Sequence, residues 1–93
     1  MAAPQRVAVV GGGITGLAAA HALLTNADDA APAPQVIVFE RDDRLGGKLQ
    51  TSPFAGHPAI DEGPDAFLAR LPWGTALANA VGLGDQLVAP QAG

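Results

Sequence analysis

The sequence predicts an α/β fold: two parallel strands joined by a crossover helix, incomplete as a sheet, followed by a short hairpin and a helix. Three observations carry that class. Val7–Val10 and Val36–Phe39 are unbroken apolar runs, the pattern of strands buried on both faces of a parallel sheet. Between them Ile14, Leu17, Ala18, His21 and Leu24 recur at helical spacing. The first run also ends in three glycines, which stop a strand abruptly and turn it into the helix.

Taken in order, the first strand covers Val7–Val10 and the helix runs from Gly13 to Thr25, with Asn26 as its terminator. Residues 27–34 (ADDAAPAP) read as an exposed connector. The second strand runs from Gln35 to Glu40, and strand, helix, strand within about 35 residues makes a βαβ unit. Arg41–Gly47 is polar and ends in two glycines, so it is a loop. Phe54–Ile60 forms a short hairpin turning at Gly56. Pro72 opens a second helix at its favoured first-turn position, with Trp73, Leu77, Ala80 and Val81 on one face and Gly82 at its end.

Composition sets the limits. Of 93 residues, 20 are alanine, leaving seven Val, three Ile, ten Leu, three Phe and one Trp as large core candidates. The chain has no cysteine, hence no disulfide, thiolate metal site or Cys nucleophile. A net charge of −4 with five basic residues argues against a nucleic-acid partner. No residue from Val7 to Ala27 is charged, which imitates a signal peptide or a membrane span. Three central glycines, with His21, Thr25 and Asn26 behind them, argue against both readings.

Gly11-Gly12-Gly13-Ile14-Thr15-Gly16 satisfies G-x-G-x-x-G. The first glycine permits the tight turn, the second lets backbone approach a pyrophosphate, and the third lets helix pack on strand. The helix then offers unpaired N–H groups and its positive dipole end to the phosphates. Glu40 closes the second strand, 24 residues after Gly16, where a carboxylate would accept hydrogen bonds from an adenosine ribose. Together these define a Rossmann-like dinucleotide-binding unit. The stretch from Glu40 to Lys48 has the form E-x-x-x-R-x-G-G-K. Its glycines would bring a second length of backbone to the diphosphate, with Arg44 and Lys48 balancing its charge or bracing the loop.

Other polar groups carry less. His21 shares a stripe with Leu17 and Leu24 and reads as a boundary residue, and His57 as a turn residue. Asp28-Asp29 and Asp42-Asp43 are adjacent loop pairs without a histidine at ligand spacing, so no metal site is expected. Asp61 and Glu62 resemble an acid–base pair only superficially, and no Ser–His–Asp set is arguable.

The glycine loop followed by E-x-x-x-R-x-G-G resembles the N-terminus of the flavin-dependent amine oxidase and protoporphyrinogen oxidase superfamily, which binds FAD. Gly46–Thr51 (GGKLQT), Asp61–Arg70 (DEGPDAFLAR) and Gly82–Val88 (GLGDQLV) are similar to its bacterial porphyrinogen oxidase branch, which includes the coproporphyrinogen III oxidases. The likeness runs from Arg6 to about Pro90. It implies that Gly11, Gly12, Gly13, Ile14, Thr15 and Gly16 hold the FAD diphosphate, and that Glu40, with Arg41 beside it, holds the ribose. It further implies that Arg44, Gly47 and Lys48 lie along FAD, and that Gly63, Pro64, Asp65 and Ala66 approach the flavin. Arg41 stands where many relatives have a small residue, but Glu40 would repel the 2′-phosphate of NADP.

The implied activity is oxidation of coproporphyrinogen III to coproporphyrin III in haem biosynthesis, with O2 as acceptor and porphyrinogen and O2 as the partners. No side chain is assigned a catalytic role. Protoporphyrinogen oxidase, another enzyme of the superfamily, and an inactive fragment with only dinucleotide affinity stay open. Residues 1–93 are expected to form the N-terminal part of an FAD-binding domain, without a substrate domain, in a cytoplasmic protein of open oligomeric state.

Overall fold

The computed structural model describes residues 4–92. Strand β1 spans Arg6–Val10, helix α1 spans Ile14–Thr25, and strand β2 spans Gln35–Phe39. β1 and β2 pair in parallel, in a register running from Arg6 opposite Gln35 to Val10 opposite Phe39. α1 packs against both strands. The expected βαβ unit is present, each boundary within one residue of its sequence reading.

Glycine 13 caps α1 with an ordinary extended conformation, φ −80° and ψ −171°. The helix closes through the Asn26 N–H, which donates to Ala22 O at 3.1 Å, and the Thr25 hydroxyl, which donates to His21 O at 2.8 Å. The connector is less loose than its composition implies. Asp28 accepts the Ala31 N–H at 2.7 Å on its side chain and donates its own N–H to Ala31 O at 2.9 Å. An aspartate turn of this kind holds a proline-bounded loop in shape.

Beyond residue 50 the hairpin is longer than expected: β3 spans Thr51–Phe54 and β4 His57–Asp61, antiparallel. Ala55 and Gly56 both have positive φ, 50° and 82°, as a two-residue hairpin turn matching strand twist requires. The register shifts between Ser52 and Phe54, around Pro53, which has no N–H for the ladder. Helix α2 then covers Pro72–Ala80. It ends at Gly82, φ 84°, where Leu83 donates to Ala78 O at 2.8 Å. A short 3₁₀ turn at Gly84–Gln86, absent from the sequence reading, packs against α2.

The expected core is where sequence and structure part. Among the described residues only Gly12 and Ala20 are buried, and Ala20 is the one buried apolar side chain. Ala8 and Val10 on β1 are exposed, so the strand is not covered on both faces. The reason is geometric: α1 covers one face of a two-stranded sheet, and no other element packs on β1 or β2 to a comparable extent. The stripe on α2 is open too, with Trp73 71% exposed. In total the chain exposes 7852 Å², where a compact globule of its mass would expose about 5,000 Å². Its radius of gyration is 16.8 Å, against roughly 12 Å for a compact domain of this length. No helix among the described residues is long and apolar enough to cross a membrane.

Candidate dinucleotide-binding site

The site begins where β1 runs out. The Gly11 N–H still donates to Phe39 O at 2.7 Å, prolonging the sheet by one bond, while φ of 101° swings the chain out of the strand. Only glycine adopts that angle without strain. Leu17 closes the first bond of α1, to Gly13 O at 3.0 Å, so the N–H groups of the turn before it face forward. That first turn contains no acidic residue to occupy the positive end of the helix dipole. Gly16 sits behind the loop, where a Cβ would collide with the Gly11 carbonyl oxygen. This glycine serves packing, as the spacing predicts.

A second glycine segment lies directly on the first. The Gly46 N–H donates to Gly12 O at 2.8 Å, and Gly13 and Gly46 form a parallel bridge. A Cβ on Gly47 would come within 3.2 Å of Gly13 Cα, so two backbones meet with no side chain between them. Gly63 closes the next layer, for its Cβ would strike the Lys48 carbonyl oxygen. Glu62 donates its N–H to Gln50 O at 2.8 Å and fixes that approach.

These segments enclose a cleft of about 930 Å³. Gly11, Gly13, Ile14, Thr15 and Gly16 line it together with Gly47, Lys48, Pro64, Asp65 and Ala66. Ten residues named from the sequence therefore converge on one space. Val9, Val10 and Ala19 join them, as do Leu49 and Phe67, giving the cleft an apolar wall that motif reading missed. The signal was available for Val10 alone, an apolar strand end next to the loop.

Five named residues do not line the cleft. Gly12 is turned away, and a Cβ there would meet Leu45 Cδ2 at 2.5 Å and Glu40 Oε1 at 3.3 Å. Glu40 Oε1 accepts the Gly12 N–H at 2.8 Å, and Oε2 accepts the Asp42 N–H at 2.8 Å. The Asp42 bond first, then the Gly12 bond, holds the Glu40 carboxyl below the usual carboxylate range. Each oxygen keeps a further lone pair for another donor. The Arg41 side chain is 93% exposed and lies 3.7 Å from Asp42 Oδ1. Arg44 spends its guanidinium on the loop it belongs to, and Gly63 lies behind Lys48. No group of three metal-ligating side chains occurs among the described residues.

The arrangement suits a dinucleotide diphosphate. Bare backbone from two glycine segments walls the cleft, a helix N-terminus free of acids opens into it, and Lys48 is the cation on its lining. Fold and site together define an incomplete Rossmann-like βαβ unit. The chain belongs to the flavin containing amine oxidoreductase family, whose sequence pattern matches residues 14–93, and the family's cofactor is FAD.

Three relatives illustrate the likeness. A coproporphyrinogen III oxidase of Propionibacterium freudenreichii is 44% identical over 85 residues, 91% of this chain and 15% of the relative. One from Mycobacterium bovis is 42% identical over 86 residues, 92% of this chain and 18% of the relative. The chloroplastic protoporphyrinogen oxidase 1 of Arabidopsis thaliana is 44% identical over 80 residues, 86% of this chain and 14% of the relative. The chain thus spans less than a fifth of these relatives' length.

Proposed function

We propose that this chain is the FAD-gripping N-terminal part of an oxidase that converts coproporphyrinogen III to coproporphyrin III, with O2 as the electron acceptor. The supporting observation is the stacking of Gly46–Gly47 on Gly12–Gly13 at the mouth of α1, in a chain 44% identical to a coproporphyrinogen III oxidase. FAD, when bound, supplies the redox chemistry.

The chain's own residues bind and orient. The N–H groups of Ile14, Thr15 and Gly16 at the start of α1 meet the diphosphate, and Lys48 balances its charge. Glu40 accepts from the adenosine ribose with the lone pairs that Gly12 and Asp42 leave free. Pro64, Asp65 and Ala66, which share the cleft's lining, lie toward the flavin end. The location that goes with this reading is the cytoplasm.

The test is turnover by the complete protein. Purified with a flavin absorbance spectrum, it should consume O2 with coproporphyrinogen III and release fluorescent coproporphyrin III. Faster turnover of protoporphyrinogen IX would move the assignment to a protoporphyrinogen oxidase. Colourless protein that takes up no added FAD would end the proposal.

A further inference from the structure

Arg44 has an unusual set of partners for a cation beside an anion-binding loop. Nη2 donates to Gly47 O at 2.6 Å and to Gln50 Oε1 at 2.5 Å. Nη1 donates to Leu45 O at 3.2 Å and to Leu49 O at 3.4 Å. Every acceptor is neutral, and all lie between residues 45 and 50. No carboxylate faces Arg44 within ion-pair distance among the described residues. The planar fork thus spans the Gly46–Gly47 turn from below, while the turn itself adopts φ of 111° and 59°.

That turn is the piece that must be held. Gly46 and Gly47 have no side chains to anchor them, and the turn meets the first glycine loop through the Gly46 N–H to Gly12 O bond and the Gly13–Gly47 approach. Gln50 carries the link onward, since its carbonyl accepts the Glu62 N–H. Lys48, by contrast, has no hydrogen-bond or ion-pair partner among the described residues and lines the cleft. The two cations of the loop have separate tasks.

We infer that Arg44 is a positioning residue: its guanidinium shapes the second glycine turn against the first through carbonyl oxygens, leaving Lys48 as the loop's charge for the diphosphate. This rests on the reading of the two glycine segments as an FAD cradle. A lysine at position 44 keeps the charge but not the fork, so the conservative exchange separates shape from charge.

The experiment compares Arg44→Lys, Arg44→Met and Lys48→Met in the complete protein, with FAD as the probe. In the apoprotein, Arg44→Lys should speed hydrogen exchange at the Gly46 and Leu49 amides while the β1–β2 amides stay protected. FAD affinity should fall about tenfold, as for one charged hydrogen bond lost. The salt dependence of binding should stay that of the parent in both Arg44 variants and flatten in Lys48→Met, because screening acts on the charge that meets the phosphates. Parent-like exchange at Gly46 in Arg44→Lys overturns the inference, as does a flattened salt dependence in Arg44→Met. If Lys48→Met binds FAD like the parent, the cradle reading falls, while the exchange rates still decide whether Arg44 holds the turn.

Discussion

Residues 6–50 and residues 51–88 put most of their glycines to different uses. In the first region backbone meets backbone: Gly16 on Gly11, Gly46 on Gly12, and Gly47 on Gly13. In the second, the turn glycines Gly56 and Gly82 stand in open space, and large side chains such as Leu68, Trp73 and Val88 are 71% exposed or more. The first region is finished locally, through hydrogen bonds and close approach that its own residues supply. The second leaves the apolar face of α2 only partly covered, by the 3₁₀ turn and by Phe67. Most of the candidate cleft's lining therefore comes from the first region, joined by Pro64–Phe67 of the second.

The sharpest way to break this contrast is to put a methyl group where two backbones touch. Gly16→Ala should have the largest effect, because its Cβ falls on the Gly11 carbonyl. Overpacking of this kind costs about 1–3 kcal/mol, and the complete protein should lose both thermal stability and flavin. Gly13→Val separates the two losses. Gly13 has an ordinary backbone conformation, and a Cβ there meets only Gly47 Cα, at 3.9 Å. The branched side chain should fill the cleft and abolish flavin retention while the melting temperature of the apoprotein holds. Flavin stoichiometry of the parent in Gly13→Val would remove this loop from the site.

A smaller, pH-dependent effect is expected at Glu40. Its folded-state carboxyl titrates below the usual value because the Asp42 and Gly12 N–H groups favour the charged form. A lowered folded-state value gives a contribution that is fully present above the ordinary carboxylate range and lost as pH falls through the lowered value. Glu40→Gln keeps one acceptor oxygen for two donors, so FAD binding should weaken several-fold at neutral pH. The acid-side decline in loop protection, followed by hydrogen exchange at Gly12 and Asp42, should shrink with it. An unchanged acid limb would assign that decline to another group.

Much of the first region was legible because its signals are local. An apolar run, a glycine triplet and a helical period specify β1, the turn and α1 within 20 residues. What escaped was the direction of individual groups. Glu40 turns its carboxylate to the Gly12 and Asp42 N–H groups, whereas the bracing of its own loop by Arg44 was one of the two readings its spacing offered. Motif spacing places residues in a segment but not the side chain on one side of it. In the second region the stripe Trp73–Val81 gave the right helix and the wrong burial. Periodicity reports that a face is apolar; it does not report what covers it.

The smallest effect should therefore come from the largest side chain. A buried Trp→Ala exchange costs about 3–5 kcal/mol, yet Trp73 is 71% exposed. In the 93-residue chain, Trp73→Ala should shift urea-unfolding stability by no more than about 0.5 kcal/mol, the range of surface exchanges. A drop of core size would show that α2 packs closely on the rest of the chain. The same substitution in the complete protein then measures the cover that α2 receives there. A cost that rises between the two backgrounds would assign the apolar stripe to an interface outside residues 4–92, and an equal cost would leave Trp73 a surface residue in both.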